Sequence, residues 1–145
     1  MKSPLYIRAS RTHVVLRDVD AGATVEVEAV VGVDAGNKVL SIGEPVNAAA
    51  RQISPFEHPR LVISDFSAAV RLVQHALGEL AGGKPVLRAP TILIQADMDL
   101  EGGISEVEDR VLREIAAEAG ARKVLTHFGR VLTDAEVAAF EDLAQ

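Results

Sequence analysis

The sequence contains no cysteine and no tryptophan. Without cysteine the chain has no disulfide, no thiolate metal site and no cysteine nucleophile. Its aromatic residues are one tyrosine and four phenylalanines, so a surface that stacks the bases of single-stranded nucleic acid is not expected. The core must therefore be built mainly from valine, leucine, isoleucine and alanine.

Positive charge is also scarce, because 15 Lys and Arg residues stand against 21 Asp and Glu residues, a net charge of −6. Proteins that bind phosphate backbones or anionic membranes usually have a broad positively charged surface, so neither is expected as a partner. No apolar run approaches the roughly 18 residues of a membrane-spanning helix. Arg8 interrupts the first apolar stretch too early for a signal peptide. We expect a cytoplasmic protein without an integral membrane segment.

The length of 145 residues predicts a single domain over residues 1–145. A chain of this size buries about two thirds of its unfolded surface. With 48% hydrophobic residues it needs no metal or disulfide to complete its core.

The first 43 residues alternate β-branched and polar residues, a pattern that predicts strands. The expected strands cover residues 5–9, 13–19, 25–33 and 38–42. Residues 44–60 contain three prolines and only a weak helical pattern at 46–53, which indicates a connecting segment.

After residue 60 the apolar spacing becomes helical. The first expected helix covers residues 65–80 and is ended by Gly82, and strands are expected at 91–94 and 123–126. The capping-box spacing of Ser105 and Glu108 predicts the start of a second helix. The same spacing of Thr133 and Glu136 predicts the start of a last helix. In the second helix, Val107, Val111, Ile115 and Ala119 are expected to face inward. This order predicts an α/β fold in which an antiparallel meander is followed by β-α-β-α units, with helices packed on a mixed sheet.

Three sequence segments carry a more specific likeness. They are residues 38–44 (KVLSIGE), residues 61–66 (LVISDF) and residues 103–108 (GISEVE), the last followed by Ala-Gly-Ala at 119–121. In this order they resemble the landmarks of MreB, the bacterial actin-like family of rod-shape determination. The resemblance runs from about residue 5 to the last helix and corresponds to the first lobe of that two-lobed fold.

The resemblance implies an actin-like, ribonuclease-H-like fold, with residues 44–60 in place of a small insert subdomain. In actin-like ATPases a D-x-G-T loop after the first strand cradles phosphate. Residues 7–12 (IRASRT) occupy that place here and contain neither a carboxylate nor a glycine. The family's Glu-Glu-Pro would fall near residues 126–129 (THFG), where the carboxylate is also missing. The family's second phosphate loop belongs to a second lobe, which we do not expect this chain to supply.

These differences predict a non-catalytic protein without ATP as a cofactor, and with no catalytic or nucleotide-binding residues. By the resemblance, its partners would be MreB-type filaments or further copies of itself, in bacterial cell shape or cytoskeletal organisation.

An alternative function is the binding of calcium or a small ligand. Residues 97–108 match the spacing of a calcium loop, with carboxylates at Asp97, Asp99, Glu101 and Glu108. Pro90 and an apolar strand precede this segment, where an EF-hand has a helix. The MreB-like pattern explains residues 104–108 as a helix start without any metal, so both interpretations remain open.

A third interpretation is an enzyme that acts on a phosphorylated substrate through Arg8, Arg11 and His127. Separately, Ser10 and His127 could be imagined as a nucleophile and its base, but no nucleophile-elbow motif accompanies them, so His127 is interpreted as an ordinary polar residue at a strand end. A ribonuclease-H-type nuclease needs a carboxylate on the first strand, and that strand has none.

Overall fold

The computed structural model describes residues 3–36, 38–44, 51–56, 63–82, 89–98 and 103–143. Five strands form the main sheet, in the order β3-β2-β1-β7-β8. They are β1 (Leu5–Ala9), β2 (His13–Asp18), β3 (Ala23–Glu28), β7 (Thr91–Ala96) and β8 (Lys123–Phe128). The strands β1, β2 and β3 pair antiparallel, whereas β7 pairs parallel with both β1 and β8. The mixed sheet predicted from the element order is confirmed.

A second, three-stranded sheet was not predicted. It contains β4 (Val31–Val33), β5 (Val39–Ile42) and β6 (Arg51–Ile53), in the order β5-β4-β6. The single strand predicted over residues 25–33 is wrong, because the chain turns sharply where the Val30 amide donates to the Glu28 carbonyl at 2.9 Å. The buried pair Ala29 and Val30 separates β3 from β4, which lie in different sheets.

The weak helical pattern over residues 46–53 is also corrected, because its described part is the strand β6. Residues 45–50 and 57–60 lie outside the described residues, so the assignment of 44–60 to a connecting segment stays a prediction. The strand β6 pairs antiparallel with β4 from Val31 opposite Ile53 to Val33 opposite Arg51.

Two helices, α1 (Phe66–Ala81) and α2 (Glu106–Glu118), cover one face of the main sheet. The Asp65 side chain accepts from the Ala68 amide and caps α1, which ends at Gly82 in the left-handed conformation that glycine tolerates. The capping box predicted for Ser105 and Glu108 is present at the start of α2. These helices and the strands beneath them enclose the main core.

The buried side of α2 differs from the prediction at one position. Its buried residues are Leu112, Ile115 and Ala116, whereas Val107 is 72% exposed. At 3.6 residues per turn, Val107 lies about 140° around the helix from Leu112, so it points away from the sheet.

The third helix, α3 (Asp134–Leu143), lies on the opposite face of the sheet. There a smaller cluster joins Tyr6, Leu93, Leu125 and Val137, with Leu132 and Phe140 packed against it. The capping box predicted from Thr133 and Glu136 is present, because Glu136 accepts from the Thr133 amide at 2.9 Å while the Thr133 hydroxyl accepts from the Glu136 amide at 3.2 Å. No helix within the described ranges is long and apolar enough to cross a bilayer.

Candidate functional site

The carboxyl ends of β1, β7 and β8 meet at one end of the sheet because these three strands are parallel. Three connections leave from that end: the β1–β2 turn, the segment that begins at Asp97, and the β8–α3 loop over residues 129–133. In open α/β sheets, ligands bind beyond the carboxyl ends of parallel strands. This end of the sheet is therefore the candidate site.

The β1–β2 turn is closed by its own serine. The Ser10 hydroxyl accepts from the His13 amide at 3.0 Å and from the Thr12 amide at 3.4 Å, and it donates to the His13 carbonyl at 3.1 Å. The Ser10 amide also donates to the His13 carbonyl at 2.9 Å. The amide groups of Ser10, Thr12 and His13 are thus engaged within the turn itself.

Arg8 and Asp97 form an ion pair across the ends of β1 and β7. Arg8 Nη1 lies 3.2 Å from Asp97 Oδ2, and both side chains are about one third exposed. The Asp97 amide donates to the Ala9 carbonyl at 2.8 Å, which fixes the backbone beside the pair. The guanidinium and the carboxylate are therefore paired with each other at the candidate site.

A buried glutamine anchors the β8–α3 loop to the sheet. Gln95 is fully buried and is the one buried polar or charged side chain among the described residues. Its Nε2 donates to the carbonyls of Gly129 at 2.9 Å and Arg130 at 3.3 Å, and its Oε1 accepts from the Tyr6 hydroxyl. Gln95 was not among the residues predicted from the sequence, although an amide near the end of the apolar run TILIQA was a usable signal.

Tyr6 completes this network from the middle of β1. Its hydroxyl accepts from the Leu132 amide at 3.1 Å while donating to Gln95. Burial raises the pKa of Tyr6 above its ordinary value, although the Leu132 hydrogen bond and the nearby Arg8 charge lower it. Tyr6 therefore remains a neutral hydroxyl that holds the loop in place.

His127 and Arg130 complete the surface of this end. His127 Nε2 donates to the Arg130 carbonyl at 2.9 Å, and its ring meets Phe140 edge-on with centroids 5.8 Å apart. The Ser10 hydroxyl donates to the His13 carbonyl, whereas His127 Nε2 donates to the Arg130 carbonyl, so the described Ser10 and His127 side chains are bonded to other groups and not to each other. Arg11 lies in the β1–β2 turn and also has an interaction partner.

The structure describes two of the four predicted calcium ligands. Asp97 pairs with Arg8, and Glu108 Oε1 accepts from the Ser105 amide at 3.1 Å in the α2 capping box. Asp99 and Glu101 lie outside the described residues. Within the described part of the chain, no three acidic or histidine side chains are grouped to hold a metal ion. Calcium binding stays a prediction.

The sequence matches no protein-family model and no curated protein. Its structure resembles MreB5 of Spiroplasma citri bound to ADP, with a TM-score of 0.65 and 17% identity over 86% of this chain and 38% of that chain. The same MreB5 bound to AMPPNP aligns with a TM-score of 0.62, 16% identity and coverage of 88% and 39%.

A non-polymerising A278D mutant of MamK bound to AMPPNP aligns with a TM-score of 0.56 and 16% identity, over 88% of this chain and 42% of that chain. The chain thus spans about two fifths of the length of these proteins. The alignments confirm the fold that the sequence resemblance implied: the described chain has an actin-like fold and aligns with part of each of these proteins.

Proposed function

We propose that this actin-like domain acts through protein contacts and does not bind or hydrolyse ATP. Its partners would be further copies of the chain or MreB-type filaments, in bacterial cell shape or cytoskeletal organisation. The structural neighbours were solved with ADP or AMPPNP bound. The proposal that this chain does not bind nucleotide therefore rests on the residues in which it differs from actin-like ATPases.

The observation that carries the proposal is the engagement of the β1–β2 turn amides. The resemblance places the first phosphate-binding loop at this turn, and such loops bind phosphate through free backbone amides. Here the Ser10 hydroxyl accepts from the Thr12 and His13 amides, and the Ser10 amide is bonded to His13. Phosphate would have to break these bonds, and no glycine is present to let the backbone approach closely.

The ion pair of Arg8 and Asp97 supports the same conclusion. The corresponding part of an actin-like ATPase has a carboxylate that organises the metal, whereas this strand end has a guanidinium 3.2 Å from its partner. The Arg8 charge would repel a divalent cation at this strand end, and the Asp97 carboxylate is already paired with Arg8.

Exposed apolar side chains at the same end favour protein contact. Phe128 and Val131 are both exposed on the β8–α3 segment, and Val107 is exposed on the first turn of α2. Phe128 lies against Gly103, where an added Cβ would come within 3.5 Å of the ring. Exposed aromatic and aliphatic side chains are typical of protein-binding surfaces.

A calorimetric titration with Mg-ATP tests the proposal. We expect no binding heat at millimolar nucleotide, from protein whose thermal unfolding transition shows that it is folded. Arg122, at the opposite end of β8, offers a matched control. If the wild type binds Mg-ATP with micromolar affinity, the proposal is wrong. Loss of that binding in R8A but not in R122A would place ATP at the candidate site.

A further inference from the structure

The main sheet has two open edges among the described strands. The order β3-β2-β1-β7-β8 leaves β3 and β8 each with a hydrogen-bonded neighbour on one side. An edge strand presents backbone N–H and C=O groups with which a strand of another chain can pair. The sheet therefore offers two places at which a further strand can be added.

One side chain of α2 lies along the β8 edge. Arg113 donates to the Thr126 hydroxyl at 2.9 Å and to the Val124 carbonyl at 3.4 Å, and it is also bonded to Asp109 at 2.8 Å. The contact with the carbonyl is long compared with the usual N–H···O distance of about 2.9 Å. The amide of an added strand can replace it while Arg113 keeps its other two partners.

The two edges carry opposite charge. The strand β3 has Glu26 and Glu28, both exposed, and no basic residue, whereas β8 has Lys123 and His127 and no acidic residue. Glu26 lies 3.7 Å from His13 in an exposed ion pair, which contributes little. Like charges on neighbouring strands are destabilising and opposite charges are stabilising. Charge therefore favours β3 of one copy beside β8 of another over the pairing of two identical edges.

The charged side chains of the two edges lie on the same face of the sheet. Alternate residues of a strand point to opposite faces. Val25 and Val27 pack against the core beneath α1 and α2, so the two glutamates of β3 point to the other face. Leu125 is buried in the cluster beneath α3, so Lys123, two residues before it, points to the face of α3 as well.

The strands β3 and β8 also run in the same direction. Both β3 and β1 are antiparallel to β2, and β1, β7 and β8 are parallel to one another. A second copy placed beside the first in the same orientation therefore adds its β3 to β8 as a parallel strand. In that arrangement Lys123 of one copy and the two glutamates of the next copy lie on one continuous face.

The helices leave room for this arrangement. The helix α1 lies over β2 and β3, and α2 lies over β7 and β8. From the middle of the β7–β8 pair to the middle of the next copy's β2–β3 pair is two strand spacings, about 10 Å at about 4.8 Å each. Packed helices lie about 8–10 Å apart, so α2 of one copy would pack beside α1 of the next.

We propose that copies of this chain assemble head to tail, with β3 of one copy added in parallel to β8 of the next and with Lys123 opposite Glu26. This rests on the proposed function and deepens it by identifying the partner as a second copy. Each copy uses two different edges, so the contact is heterologous and forms an open filament unless its rotation closes a ring.

The absence of cysteine from the chain makes this contact directly testable. K123C and E26C each introduce one thiol, and a disulfide requires Cα atoms within about 4.4–6.8 Å. We expect an oxidised mixture of the two variants to form predominantly the mixed covalent dimer, whereas each variant alone should remain uncrosslinked. The matched control is a mixture of K38C and E44C, which introduce thiols at exposed positions outside both edges.

Charge reversal tests the same contact without a crosslink. K123E and E26K each place like charges at every junction, whereas the double variant K123E/E26K places opposite charges there again. We expect each single variant to associate about fivefold more weakly than the wild type in sedimentation velocity, and the double variant to associate as the wild type does. K38E and E44K make the same changes in charge away from both edges and should have no effect.

Circular dichroism establishes that each variant is folded. If the folded K123C and E26C mixture crosslinks no faster than the K38C and E44C mixture, the proposal is wrong. It is equally wrong if K123E and E26K associate as strongly as the wild type. No nucleotide enters these experiments, so their failure is distinguishable from a failure of the proposal on ATP binding, which the Mg-ATP titration tests.

Discussion

At the scale of single residues, Gln95 and Tyr6 connect the β8–α3 loop to the main sheet. Gln95 satisfies two loop carbonyls and the Tyr6 hydroxyl from a fully buried position. A buried polar group costs free energy unless its hydrogen bonds are made, and here each atom of the amide has a partner. The pair therefore fixes the loop that leads to α3.

Replacing Gln95 by leucine should lower the free energy of unfolding by about 1–3 kcal/mol, because the Tyr6 hydroxyl and the carbonyls of Gly129 and Arg130 lose their partner. Urea denaturation measures this change. Y6F is the matched variant, since it removes the same bond from the other side. The effect of the double variant should be smaller than the sum of the two. Additive effects, or an unchanged Q95L midpoint, would contradict the assigned network.

The residue pairs at the candidate site could not be predicted from the sequence. Arg8 and Asp97 are 89 residues apart, and only the parallel pairing of β1 with β7 brings them together. Nothing in the sequence indicated that the Ser10 hydroxyl is bonded to the backbone of its own turn. Side-chain partners of this kind depend on register, which the apolar pattern alone does not fix.

At the scale of elements, the helices were predicted well because their starts have local signals. The capping boxes of Ser105 with Glu108 and Thr133 with Glu136 are both present. The end of β3 was missed because Val25, Val27, Val31 and Val33 keep one alternation across the turn at Ala29 and Val30. Alternation predicts which faces are buried, but not where a strand changes sheets.

The first turn of α3 should respond to acid. The hydrogen bond from Arg130 lowers the pKa of Glu136 from 4.5 to about 2, and the Thr133 backbone amide contributes. A carboxylate whose pKa is lower in the folded state stabilises the fold above its unfolded pKa and loses that contribution as pH falls through the folded pKa. We therefore expect the stabilisation from Glu136 to be full at neutral pH and to disappear between pH 4.5 and about pH 2.

Comparison of the wild type with E136Q measures this contribution. The difference in Tm should be present at pH 7 and should shrink to nothing as pH falls to about 2. E114Q, at an exposed position of α2, is the matched control, and its difference in Tm from the wild type should stay small throughout. A wild-type to E136Q difference that is constant with pH would contradict the assigned pairing with Arg130.

At the scale of the whole molecule, the fold predicted from the order of strands and helices agrees with the structure and with its neighbours. The alignments to MreB5 and MamK cover 86–88% of this chain at 16–17% identity. Alignments at such low identity are evidence for a shared fold but not for a shared activity, so the function must be argued from the site. In this chain the β1–β2 turn is closed by its own hydrogen bonds, and the carboxyl ends of β1 and β7 carry an ion pair.

The central claim is that this actin-like chain works by protein contact and without nucleotide. Sedimentation velocity over a range of concentrations, with and without Mg-ATP, tests it most directly. The account predicts association that increases with protein concentration and is the same in both series. A chain that remains monomeric without ATP and assembles only when ATP is added would contradict it.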